Sequence, residues 1–152
     1  MDKPYEIRQA VSKDEKRIRE LFEEMLRTIY HTDQVEGYED GYLDKFWDRG
    51  EDRIFVAEDT EVRAFLSVEV YHEPEVYVYL DDLSVTESYR SKGIGTALFR
   101  TAEAYVKELG IPVIVFHVEK TNEAAFRLYE RLGYSIYRDD ENRYLMKKDI
   151  LV

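Results

Sequence analysis

One stretch of this chain fixes the order of three elements at once. An apolar run ends at Leu83-Ser84-Val85. It is followed by the turn Tyr89-Arg90-Ser91-Lys92-Gly93-Ile94-Gly95-Thr96, and then by a helical stripe of Ile94, Ala97, Leu98, Thr101, Ala102, Tyr105 and Leu109. A strand, a glycine-containing turn and an amphipathic helix therefore succeed one another directly. The first N–H groups of such a helix lack intrahelical acceptors, and its dipole favours negative charge there. The turn is an anion site, and a phosphate-bearing ligand is the expectation.

The rest of the chain builds around this unit. Tyr5 to Gln9 reads as a short strand. Ser12-Lys13-Asp14-Glu15 has the form of a capping box. Ile18, Leu21, Phe22, Met25, Leu26 and Ile29 then carry a helix over 13–30. A second, short helix is expected at 39–48, with Leu43, Phe46 and Trp47. Strands follow at 53–58, 62–71 and 75–85, the last two parted near His72-Glu73-Pro74. Gly110 is placed to end the long helix. Residues 112–118 read as a strand of the fully buried kind. A helix over 121–132 ends at Gly133, and strands at 134–137 and 144–148 close the chain. The order β-α-α-β-β-β-α-β-α-β-β predicts an α/β (α+β) fold, a mixed sheet with helices on both faces. A single domain over 1–152 is expected, without repeats or linkers.

Composition removes several function classes. With no cysteine among 152 residues, disulfides, thiolate metal sites and cysteine nucleophiles are excluded. His31, His72 and His117 are scattered without metal-ligand spacing, so no metal is expected and each reads as structural or superficial. A net charge of −11 argues against nucleic-acid binding and mildly favours a cationic partner. Pro4, Glu6 and Arg8 interrupt the N-terminus, and no apolar run approaches a membrane span. The expectation is a cytoplasmic protein with neither nucleic-acid nor membrane partners.

Arg90-Ser91-Lys92-Gly93-Ile94-Gly95 fits the signature Arg/Gln-x-x-Gly-x-Gly/Ala, and Leu80 to Val85 precedes it as a strand end. Downstream, Asn122-Glu123-Ala124-Ala125-Phe126-Arg127-Leu128-Tyr129 is followed by Gly133-Tyr134. Together these pieces resemble the GCN5-related N-acetyltransferase (GNAT) superfamily. The likeness covers nearly the whole chain and is specific over about residues 76–135.

That resemblance implies acetyl-coenzyme A as the acyl donor and the acyl-CoA N-acyltransferase fold. It implies that main-chain groups of Leu83, Ser84 and Val85 pair with the pantetheine arm. The amides of Ser91, Lys92, Gly93, Ile94 and Gly95 would cradle the pyrophosphate, with a hydroxyl from Thr96. Arg90 and Lys92 are candidates to pair with phosphate oxygens, and a solvent-facing Lys92 is equally open. Asn122 matches a pantetheine contact and is also a helix N-cap by type. Tyr129 occupies the family's general-acid position; without the resemblance it would read as a core aromatic.

The chemistry itself needs a neutral amine, a polarised carbonyl and a protonated leaving thiolate. Neutralising a primary amine with pKa near 10.4 at pH 7 costs roughly 4.6 kcal/mol. A carboxylate in reach, directly or through water, can take the proton. Asp81 and Asp82 are the candidates, sent to opposite faces of their strand by alternation. Asp81 is favoured as base and Asp82 as structural or acceptor-positioning; service of both in local ion pairs stays open. The Val85 N–H is the expected donor to the thioester carbonyl.

The acceptor-side segments carry His31, Asp33, Glu36, Tyr38, Glu39, Asp40, Tyr42 and Trp47. Acidic and aromatic groups together suit a cationic amine. Tyr79-Leu80-Asp81-Asp82 also resembles the equivalent strand of diamine and polyamine acetyltransferases. A small cationic amine or polyamine is therefore the first acceptor expected. A protein N-terminus or lysine is next, and a non-catalytic acyl-CoA-binding regulatory module is the alternative of a different class. Either a monomer or a homodimer is compatible with the tyrosine-rich strands.

Overall fold

The computed structural model describes residues 5–48 and 50–151, so Pro4 lies outside the described residues. Among the described residues there are seven strands and three α-helices. They are β1 (Glu6–Gln9), α1 (Glu15–Tyr30), β2 (Arg53–Glu58), β3 (Val62–Tyr71), β4 (Tyr77–Val85), α2 (Ile94–Glu108), β5 (Val113–Glu119), α3 (Glu123–Arg131), β6 (Ser135–Asp140) and β7 (Arg143–Asp149). The strands form one mixed sheet in the order β1-β2-β3-β4-β5-β7-β6. β4 and β5 run parallel, with Val78 opposite Ile114 and Tyr79 opposite Val115. Packing divides the chain into two compact units, one of residues 1–68 and 82–102, the other of residues 69–81 and 103–152.

In the first unit, α1 turns Ile18 and Leu21 into a core shared with Leu43, Phe46, Ile54, Val56 and Phe65. The predicted start of this helix needs correction. Ser12–Asp14 is a 3-10 turn. The capping carboxylate is Asp14, which accepts from the Val11 amide at 2.8 Å. Glu15 is drawn elsewhere, accepting from Trp47 Nε1 at 2.9 Å and Arg19 Nε at 2.9 Å. The second predicted helix reduces to a 3-10 turn over Tyr42–Phe46. It is short because its apolar content, Leu43 and Phe46, is enough to plug the core but not to carry a longer face.

In the second unit, β5 buries Ile114, Phe116 and Val118 on one face, while Val113, Val115 and His117 on the other are half-buried. The expected fully buried strand is thus buried on one side. Phe116 meets Tyr129 of α3 edge-on, with ring centroids 4.6 Å apart. Gly110 ends the helical chain path with φ 74°, a conformation that costs a residue with a Cβ roughly 1–2 kcal/mol.

Candidate functional site

The glycine turn is built as its sequence demands. Ser91 and Gly93 both adopt left-handed backbone, φ 61° and φ 85°. A Cβ added at Gly93 would meet nothing within 4 Å, so the turn is open on that side. The Ala97 amide donates to the Gly93 carbonyl at 3.0 Å, which is the helical i to i−4 pattern. The amides of Ile94, Gly95 and Thr96 come before that bond and have no carbonyl within the helix to reach. Residues 90–93 are exposed and Ile94 is buried beneath them. This arrangement fits a pyrophosphate: open space at Gly93, amides without intrahelical acceptors and a helix dipole of the right sign.

The basic side chains around the turn have partners within the protein. Arg90 Nε donates to the Val85 carbonyl at 2.8 Å, and its Nη2 reaches Glu24 at 3.3 Å. Arg90 therefore braces the turn against the end of β4. Lys92 lies over the Tyr89 ring, 5.6 Å from its centroid. Glu24 of α1, which sequence reasoning passed over, also accepts from Thr86 Oγ1 at 2.9 Å and the Glu87 amide at 3.1 Å. A glutamate on an exposed helix face carries no signal of such a distant task.

Ser84 is buried, and its hydroxyl donates to the Leu21 carbonyl at 2.9 Å. This ties β4 to α1. Leu83 and Val85 are half-buried, as is Thr96.

The two aspartates fall in different units. Asp82 accepts from the Tyr38 hydroxyl at 2.5 Å, and its amide donates to Ser67 Oγ at 2.9 Å. Tyr38 is itself stacked between Phe22, 3.8 Å away, and Tyr42, 4.9 Å away. Asp81 is exposed. Its negative charge adds to the burial that raises the Tyr79 and Tyr71 phenols, the latter to about 12.

Asn122 is exposed at the start of α3, and its side-chain oxygen accepts from the Ala125 amide at 3.3 Å. It is the N-cap its residue type suggested. Tyr129 is half-buried against Phe116, and burial pushes its phenol up to about 12. It therefore stays protonated throughout the neutral range.

The second unit contains a pocket of about 420 Å³ with Val113, Val115 and Leu145 among its apolar lining and Tyr79, His117 and Lys147 among its polar lining. His117, read from sequence as structural or superficial, links two acidic neighbours. Its Nδ1 lies 2.6 Å from the Tyr79 hydroxyl and its Nε2 2.9 Å from Asp140 Oδ2. These residues are 38 and 23 positions apart, so no local pattern announces them. Among the described residues, no group of three or more metal-ligating side chains converges. No helix among them is long and apolar enough to cross a membrane.

Known proteins repeat this plan. The PaiA N-acetyltransferase of Thermoplasma acidophilum, solved with coenzyme A, superposes with a TM-score of 0.76 at 20% identity, covering 98% of this chain and 99% of that one. The NAA10 catalytic subunit of the N-terminal acetyltransferase A complex of Arabidopsis thaliana is 31% identical over 109 residues, 64% of this chain and 57% of that protein. A mycothiol acetyltransferase of Propionibacterium freudenreichii is 38% identical over 66 residues, 43% of this chain and 20% of its own length. The chain thus spans between a fifth and three-fifths of these two curated relatives. Residues 18–134 match the Acetyltransferase (GNAT) family, and the chain belongs to that family.

Proposed function

We propose that this chain is a single N-acetyltransferase domain that moves an acetyl group from acetyl-coenzyme A to a primary amine by direct attack. The observation that carries the reading is the open turn at Ser91–Gly95 with left-handed Ser91 and Gly93 at the head of α2. Bound there, acetyl-coenzyme A supplies an activated acyl group and a good leaving thiolate. The amides of Ser91 to Gly95 hold the pyrophosphate, Thr96 adds a hydroxyl, and Leu83 to Val85 offer main-chain partners to the pantetheine arm. Asn122 contributes at the arm while capping α3. The Val85 N–H polarises the acetyl carbonyl, and Tyr129 donates toward the departing sulfur. In this reading Asp81 serves as the carboxylate that takes the amine proton, and Asp82, held by Tyr38, is a positioning residue.

The acceptor we favour is the amine of a peptide. Apolar Val113, Val115 and Leu145 suit a side chain beside the amine, and Arg138 and Lys147 at the same pocket oppose a second cationic centre. Relatives named as N-terminal acetyltransferases point the same way. A small cationic amine or polyamine is the second reading, supported by the buried carboxylate of Glu69 and by Asp81, whose charges both act on Tyr71 and Tyr79.

Thiol release from acetyl-coenzyme A over a panel of amines tests the reading. A peptide beginning with alanine should release thiol well above the hydrolytic blank and above spermidine. Binding of acetyl-coenzyme A with no acetylation of any amine would instead leave a non-catalytic acyl-CoA-binding module.

A further inference from the structure

We propose that Glu103 of α2 is a positioning residue for Tyr129, acting through Tyr134 and Lys148 at the C-terminal end of α3. The proposal rests on the acid role given to Tyr129 above, and every group in it belongs to the second unit.

α3 ends in a turn that folds the chain back onto Tyr129. The Tyr129 carbonyl accepts from the Leu132 amide at 3.1 Å and from the Tyr134 amide at 3.0 Å. Between them Gly133 adopts φ 99°, which lets the chain reverse at once. Tyr134 is buried, and its hydroxyl donates to Glu103 Oε2 at 2.9 Å. The Tyr134 ring lies 4.9 Å from that of Phe116, and Phe116 meets the Tyr129 ring at 4.6 Å. Tyr134 is therefore linked to Tyr129 by two routes, its own amide and the Phe116 ring.

Lys148 closes the arrangement. Its Nζ donates to the same Glu103 oxygen at 3.1 Å and to the Leu132 carbonyl at 2.8 Å. It also lies over the Tyr134 ring, 5.5 Å from the centroid. A Cβ at residue 133 would crowd Lys148 Cε at 3.2 Å, so the glycine leaves the lysine its path.

The Glu103 side chain is 12% exposed and that of Lys148 24%. An ion pair this far from water gains little net stability, because desolvation offsets the attraction. What it fixes is geometry. One carboxylate oxygen holds both the hydroxyl of Tyr134 and the ammonium that holds the capping carbonyl of α3. With nine residues, α3 is too short to keep its end in place by helix propensity alone. A proton donor must come within about 2.6–3.2 Å of the atom it serves. A misplacement of about 1 Å can cost a hundredfold in rate.

A clasp that only stabilises the fold would have the same contacts, so the test reads turnover against Tyr129. Tyr134→Phe and Glu103→Ala are made in the wild-type and in the Tyr129→Phe background, with acetyl-coenzyme A and a peptide beginning with alanine as substrates. In the wild-type background each should lower kcat five- to twentyfold, with the peptide KM and the Kd for acetyl-coenzyme A within twofold. In the Tyr129→Phe background each should lower kcat less than twofold, because the ring they aim no longer carries a proton. Glu103→Gln keeps an oxygen for the Tyr134 hydroxyl and should recover kcat to within threefold of the wild type. Equal losses in both backgrounds, or no loss in either, measured well below each melting temperature, overturn the positioning role alone. A Tyr129→Phe enzyme with full kcat overturns the acid role, and the positioning with it. A wild type that binds acetyl-coenzyme A but acetylates no amine overturns the acetyltransferase reading. The anchoring has a readout apart from turnover. Burial holds the Tyr129 phenol up to about 12. In Glu103→Ala, followed by NMR of ring-labelled tyrosine, it should titrate nearer the ordinary value of about 10. An unmoved titration refutes the anchoring whatever the enzyme does.

Discussion

The Tyr38 hydroxyl donates to Asp82 Oδ2 at 2.5 Å, which ties the end of β4 to the segment before the 3-10 turn. Tyr38 cannot shift without unstacking from Phe22 and Tyr42. Its carbonyl and that of Glu39 are held by Arg19 at 2.6 and 3.0 Å, so the whole segment before the 3-10 turn is pinned. A hydrogen bond to a charged group contributes about 1.5–3 kcal/mol. Tyr38→Phe should therefore lower the unfolding free energy by about that amount in urea titration. Asp82→Asn should keep kcat within threefold; a tenfold fall with a displaced acid limb would make Asp82 a base after all.

Glu24 gathers three donors from the segment that leads into the glycine turn: Thr86 Oγ1, the Glu87 amide and Arg90 Nη2. Removing it frees the approach to the turn without touching the amides that face the ligand. Glu24→Ala should raise the Kd for acetyl-coenzyme A about three- to tenfold, while kcat at saturating donor stays within twofold. Calorimetry and steady-state kinetics separate the two, and a fall in kcat with Kd unchanged would refute the bracing role.

The two left-handed positions of the turn should respond oppositely to substitution. At Gly93, φ 85° penalises any Cβ, so Gly93→Ala should cost roughly 1–2 kcal/mol and weaken coenzyme A binding at least tenfold. Open space around that Cβ means that strain, not a clash, is the cause. Ser91→Gly relieves a similar strain at φ 61° but adds freedom to the unfolded chain, so stability should move by less than about 0.5 kcal/mol. Equal binding losses in both variants would contradict this division.

What the sequence disclosed, and what it hid, follows the range of the interactions. Helix α2, helix α3 and strand β5 were legible because the period of apolar residues is local, and the glycine turn because its backbone needs particular residues. The cap at Asp14 was misplaced by one position, since Ser12 and Glu15 carried the familiar pattern while Arg8 drew Asp14 in at 2.8 Å. Arg19, Glu24 and the Tyr79–His117–Asp140 chain act across many residues through side-chain tips. Such pairings leave no period and no spacing. Tyr129 could be picked out from thirteen tyrosines only by its likeness to a family helix, because the burial that raises its phenol is a property of the folded packing.

That burial makes Tyr129 testable in two ways. A phenol near 12 is a weaker acid than a thiol near 8.5, so full proton transfer even to the departed thiolate is uphill by roughly 4.8 kcal/mol. In the proposed reaction Tyr129 would aid departure by donating a hydrogen bond as charge builds, so Tyr129→Phe should lower kcat at least tenfold with the Kd for acetyl-coenzyme A within threefold. The same shift sets a sign for stability. The folded value lies above the unfolded value near 10, so the unfolded chain releases its proton first. The contribution is complete below about pH 10 and is lost as pH rises through about 12, amounting to roughly 2–3 kcal/mol. Tyr71, raised to about 12 as well, is present in both proteins and cancels in the comparison. Urea midpoints at pH 9, 11 and 12 should fall more steeply for the wild type than for Tyr129→Phe. Parallel curves would mean that the Tyr129 phenol is as accessible to water in the fold as in the unfolded chain.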